Sequence, residues 1–190
     1  MPSAVAEVLA DLGSALQQLG LRWYLFGAQA AILHGSARLT ADVDATVDPA
    51  GVDTESLLDE LRRHGFTART EDPIGFAAST RVLLLLHQAT TLPCDLVLAG
   101  PGLEPIFLRR AVTIRVDDVD VPVAAADDLV VMKILAGRPK DLEDAAAVIA
   151  SAGDALELQR AQSTLADLEE ALDRSDLVAT LEQIATRARR

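Results

Sequence analysis

Aromatic side chains are scarce: Phe, Trp and Tyr make up 3% of the 190 residues. The core must therefore come from Ala, Val, Leu and Ile, and with 50% of the chain hydrophobic there is enough to build one. A single cysteine, Cys94, excludes an internal disulfide, and with three scattered histidines it argues against a structural zinc site. No apolar run reaches the length of a membrane span. The start, MPSAVAEVLADLGSALQQLG, carries Glu7 and Asp11 and lacks a basic leader, so no signal peptide, no membrane and a cytoplasmic location are expected. Positive charge is also short. The formal net charge is −12, which argues against a broad nucleic-acid surface. Lysine is nearly missing: of 17 basic residues only Lys133 and Lys140 are lysines, and both lie in DDLVVMKILAGRPKDLEDAAAVIA.

What is present reads as an α+β chain, a small mixed sheet flanked by helices with a helical C-terminal region. Val5, Val8, Leu9, Leu12, Leu16 and Leu19 predict an amphipathic helix over 4–19. Apolar runs predict strands at 23–26, 42–47, 81–87 and 92–100, and a hairpin at 112–116 and 119–123. Helices are expected at 28–35, at 53–64 and over LEPIFLRRA, with 67–78 as a loop. Asp127 is expected to cap a helix over 128–137, followed by one from Lys140 to about Ile149. Leu158, Ala161, Leu165, Leu168 and Leu172, then Leu177, Leu181 and Ile184, keep a 3–4 spacing that predicts two helices packed on the chain's own helices 128–149, with Arg160 on their surface. The expected division is a core over 1–125 and a helical region over 126–190. The last residues, RARR, add a basic tip.

Residues 40–48 read TADVDATVD. On a strand, Asp42, Asp44, Thr46 and Asp48 share one face. Two like charges about 4 Å apart repel by about 4 kcal/mol at an effective dielectric near 20. A divalent cation would offset that, since Mg²⁺ takes carboxylate oxygens together with substrate phosphates; a solvated strand edge would also tolerate it. Asp118 and Asp120 repeat the spacing beside a turn, where a polar hairpin face explains them. The surroundings decide. Before Asp42 come an apolar strand, Gly27, a short helix and a loop containing Ser36 and Arg38. A glycine at that junction lets backbone approach a ligand closely, and a helix start presents free N–H groups to an anion. Together these parts describe a site for a nucleoside triphosphate and its metal, with Arg38 either touching phosphate or solvated in its loop.

The stretch GAQAAILHGSARLTADVD resembles the nucleotidyltransferases of the DNA polymerase beta superfamily, in particular the bacterial minimal enzymes and their abortive-infection toxin branch. The resemblance covers about residues 22–150. It implies Asp42, Asp44 and, in CDLVLAG, Asp95 as metal ligands for Mg²⁺ or Mn²⁺, with Asp95 also able to activate an acceptor hydroxyl. It implies nucleotide contacts from Gly27, Ala28, Lys133, Arg138 and the Lys140-Asp141-x-x-Asp144 motif. Ala28 departs from the pattern, which has Gly or Ser there, so a hydroxyl contact to phosphate is lost. The implied reaction is transfer of a nucleoside monophosphate from an NTP to a hydroxyl on RNA, protein or a small molecule. The toxin branch further implies an antitoxin partner.

Lys133 stands out without the resemblance. In LVVMKILA it shares a stripe with Leu129, Met132 and Ala136, so it must snorkel, pair or serve a site. Asp141 is placed to orient Lys133 or Lys140. Cys94 is expected to face the core, opposite to Asp95. Two rival readings use the same residues: a noncatalytic nucleotide-binding module, which Ala28 favours, and a metal-dependent phosphohydrolase.

Overall fold

The computed structural model describes residues 2–188. Contacts divide the chain into two compact units. One takes the residues up to Gln29 with Thr40–Ala124, the other Ala30–Leu39 with the residues from Ala125 onward.

The first unit is built on a sheet. Its strands are β1 (Trp23–Phe26), β2 (Val43–Val47), β3 (Phe66–Ala68), β4 (Val82–His87), β5 (Pro93–Leu98), β6 (Val112–Val116) and β7 (Val119–Val123). Among the described residues these seven form one sheet in the order β3-β4-β5-β2-β1-β7-β6. β2 pairs with β5 and β1 with β7 in parallel, and the remaining neighbours are antiparallel. β2 lies between β5 and β1 because Val43, Ala45 and Val47, alternate residues of one face, are fully buried. Helix α1 (Ala4–Gln18) is capped by the Ser3 hydroxyl, which accepts from the Ala6 N–H. Its buried stripe of Val8, Leu9, Leu12 and Leu16 packs toward α3 (Thr54–Arg63) and β7. Each buried leucine contributes about 1.5–3 kcal/mol.

Two elements differ from the expected loop over 67–78. β3 pairs with β4 at the sheet edge, and α4 (Pro73–Thr80) follows it. Asp72 accepts from the Gly75 N–H, Pro73 occupies the first turn, and Arg81 ends the helix in the left-handed region at φ 59°. Proline and glycine here mark a helix start instead of a loop. The 112–123 hairpin is present, with α5 (Glu104–Arg110) before it, and the Asp118 side chain is fully exposed.

The second unit is helical. α2 (Gly27–Leu33) begins in the first unit and ends in this one. α6 (Ala126–Ala136) and α7 (Pro139–Ala152) are joined by a turn at Gly137, φ +66°. α8 (Leu158–Leu172) packs on α6, and α9 (Leu177–Ala188) packs on α7 and α8, so the C-terminal stripes find their partner within the chain. Leu172 is the exception and is half exposed. Asp127 does not cap α6, whose N-cap is Ala125. Its buried carboxylate takes two hydrogen bonds from Arg160, at Nε and, over 2.9 Å, at Nη2. Arg160 is therefore an anchoring residue and not a surface one; that hydrogen bond holds its guanidinium firmly protonated. Of the basic tip, Arg189 and Arg190 lie outside the described residues. Among the described residues no helix is long and apolar enough to cross a membrane.

Candidate active site

Asp44 and Asp95 are directly opposite each other, in register, across the parallel pair β2–β5. Asp42 stands two residues earlier, just before β2, and is exposed. Burial pushes the Asp95 carboxyl above its ordinary value, and the charge of Asp42 adds to that. The acidic–apolar–acidic spacing thus puts Asp44 in register with Asp95 and the charge of Asp42 within reach of it. Val43 between them is fully buried. Cys94 also points into the core, and burial pushes its thiol far up, with Asp95 and Asp44 contributing, so it is no nucleophile.

Gly27 closes this group from β1. Its φ is +70°, and a Cβ there would collide with Asp44 Oδ2 and the atoms behind it. The glycine is needed twice over, for the backbone angle and for the close approach of Asp44. Ala28 follows, buried at the start of α2. Gly27→Ala is expected to push Asp44 aside and cost more than the roughly 1 kcal/mol of a left-handed alanine. Transfer should fall at least tenfold, with a lower thermal midpoint, as kinetic assay and calorimetry together would show.

The donors are hard oxygens, as Mg²⁺ and Mn²⁺ require. Among the described residues no group of three or more His, Cys, Asp or Glu could hold a metal ion. Mg²⁺ is commonly bound through one or two carboxylates plus substrate phosphates, so a pair such as Asp42 and Asp44 has the donor chemistry for an ion that arrives with its nucleotide.

One residue of this group was missed in the sequence. Arg69, just after β3, donates from Nη2 to Asp95 Oδ1. It pulls the Asp95 carboxyl down against burial. Nothing in TARTED marks Arg69; the pairing exists because β3, β4 and β5 are neighbours.

The other proposed residues belong to the helical unit, where they form a second, charged cluster. Lys133 is buried and donates to Asp141 Oδ1 at 3.1 Å and to Asp144 Oδ2 at 2.8 Å. Arg138 Nε donates to Asp141 Oδ2. Arg38 Nη1 and the Ser36 hydroxyl each donate to Asp144 over 2.9 Å. Burial raises both aspartates, but the hydrogen bonds from Lys133 and its companions outweigh it and hold both carboxyls below the ordinary range. The Lys-Asp-x-x-Asp motif therefore clasps Lys133 from one face of α7, at i and i+3. Ser36, Arg38, Lys140, Glu143 and Asp144 also line a cavity of about 370 Å³.

The model of a family described as "Nucleotidyltransferase of unknown function (DUF6036)" matches residues 4–189. No curated protein matches the chain. Among solved structures, the antibiotic-resistance factor ANT(2'')-Ia shares 12% identity at a TM-score of 0.62, over 91% of this chain and 95% of that one. A nucleotidyltransferase-like antigenic protein from Paracoccidioides brasiliensis shares 21% at 0.56, over 93% and 91%. The lincosamide antibiotic adenylyltransferase LnuA, with lincomycin bound, shares 14% at 0.52, over 75% and 94%. At these identities the likeness is one of fold.

Proposed function

Since the chain belongs to this nucleotidyltransferase family, we propose that it moves a nucleoside monophosphate from an NTP to a hydroxyl of a small molecule, with Mg²⁺ or Mn²⁺ held by Asp42, Asp44 and Asp95. The observation that carries the reading is the registered pair Asp44–Asp95, with the Gly27 backbone against Asp44. A small acceptor is favoured over RNA by the net charge of −12, which repels a polyanion. It is favoured too by the names of two structures of similar fold, an antibiotic-resistance factor and an antibiotic adenylyltransferase.

The metal, when bound, neutralises phosphate charge and polarises the phosphorus. The chain's own groups do the rest. Gly27 keeps Asp44 in place. Asp95, whose carboxyl burial pushes up, takes the proton of the acceptor hydroxyl. The acceptor oxygen bonds to the α-phosphorus as the bond to pyrophosphate breaks. Arg138 and Lys140 of the helical unit are residues to which the resemblance gives nucleotide contacts, and Arg38 belongs to the same unit. Lys133, tied to Asp141 and Asp144, is the frame that carries Arg38 and Arg138.

The test is incubation with each α-labelled NTP, Mg²⁺ and separate pools of amino sugars and other polyols, RNA and protein. The expected result is label on a small hydroxyl compound with pyrophosphate released. Label on RNA or protein would move the acceptor class toward the toxin reading. Phosphate release without label transfer would indicate a phosphohydrolase, and no turnover with any pool a binding module.

A further inference from the structure

Arg69 lies in the sheet unit, one residue past the end of β3. Its backbone N–H donates to the Leu84 carbonyl at 2.8 Å and its Nε to the Leu85 carbonyl at 3.0 Å. The backbone is thus tied to Leu84 and the guanidinium to Leu85, successive residues of β4, before the side chain reaches Asp95 on β5. Leu84 and Asp95 are register partners, so the side chain crosses one strand. An ordinary exposed ion pair has no such anchoring, and its worth is small. Here the planar fork is held through Nε, and its Nη2 N–H donates to a single carboxylate oxygen. The partner, Asp95, has Asp44 in register with it on the adjacent strand β2.

We propose that Arg69 is the resident counter-cation of Asp95, competing with the divalent metal for Oδ1 and giving it up only when the metal arrives with nucleotide. This rests on the metal reading of the carboxylates given above. Without metal, Asp44 and Asp95 on adjacent strands and Asp42 just before β2 repel one another, and a fixed guanidinium offsets that. A divalent ion approaching Asp95 meets both an occupied oxygen and a positive charge. Nucleotide phosphates supply the remaining negative charge, so the ion gains enough to displace Arg69. Metal binding is thereby made conditional on substrate, with Arg69 as a positioning residue.

The experiment is titration of Mn²⁺ without nucleotide, followed by electron paramagnetic resonance, into wild type, Arg69→Gln, Arg69→Lys and Arg69→Gln/Asp95→Asn. Arg69→Gln should bind Mn²⁺ roughly tenfold more tightly, the scale of one charge-assisted contact. The lysine should restore weak binding, and the added Asp95→Asn should remove the gain. Equal or weaker binding in a folded Arg69→Gln would overturn the inference. In wild type the Arg69 Nε–H resonance should shift on adding Mg²⁺ with NTP, and an unmoved resonance under saturation would overturn it without any variant. Metal binding that depends on Asp44 but ignores Arg69 defeats this inference alone. No metal binding by wild type even with NTP defeats it together with the reading beneath it.

Discussion

Asp44→Asn is expected to lower nucleotidyl transfer by at least about a hundredfold, the scale of losing one preorganised electrostatic group at a reacting centre. The change is isosteric and removes a charge, not a packing contact, so the thermal midpoint should move little. Asp44 is in register with Asp95 across β2–β5, and its carboxylate lies against Gly27. Asp118→Asn and Asp120→Asn carry the same spacing onto exposed positions of the β6–β7 hairpin, where Arg115 is their partner. Those two variants should retain wild-type rates. Steady-state kinetics on the three variants separates a site from a pattern: an Asp44→Asn enzyme as active as Asp118→Asn would mean that the strand acids are only a solvated edge.

Lys133→Met should be the most destabilising single change in the helical unit. It removes a buried ammonium that two buried aspartates share. Breaking a buried pair by deleting one partner costs about 3–5 kcal/mol. Arg138 and Arg38 remain on Asp141 and Asp144, which places the loss near the lower end. For a chain of this size that is about 6–12 °C in thermal midpoint. Adding Asp141→Asn and Asp144→Asn should recover much of it, because replacing a whole buried ionic group is far cheaper than halving it. The cluster also sets an acid limit. Both carboxyls lie below their ordinary 3.8 when folded, so the folded state binds fewer protons than the unfolded chain. The stability they confer is complete above about pH 4, the ordinary carboxyl value, and is lost as the pH falls below it. In Lys133→Met that acid slope should flatten, which melting curves between pH 2.5 and 6 would show at about half-unit steps.

The sequence carried much of this because local periodicity carries strands and helices. Val43, Ala45 and Val47 alternate with the polar Asp44 and Thr46, and a strand whose apolar residues share one face has a favoured register. The stripes from Leu158 to Ile184 needed a partner, and α6 and α7 supplied it. What depends on distant pairing was hidden. Arg69 and Asp95 are 26 residues apart and Ser36 and Asp144 are 108 apart, so no spacing rule links them. Asp127 looked like a cap because it precedes an apolar helix; an arginine 33 residues later claimed its carboxylate instead. α4 was lost behind Pro73 and Gly75, although Asp72-Pro73 is a helix-start pair when read for its mechanism. Lys133 was conspicuous as a charge in an apolar stripe, and Asp141 was a visible partner; that Asp144 shares the same ammonium needed the turn at Gly137.

The most direct test of the carboxylate site is calorimetric titration of Mg²⁺–NTP into wild type and into Asp42→Asn/Asp44→Asn, with and without the metal. Wild type should bind nucleotide in a metal-dependent manner, and the double variant should lose the metal-dependent part while keeping its fold. Equal metal-dependent affinity in the two proteins would contradict the assignment of Asp42 and Asp44.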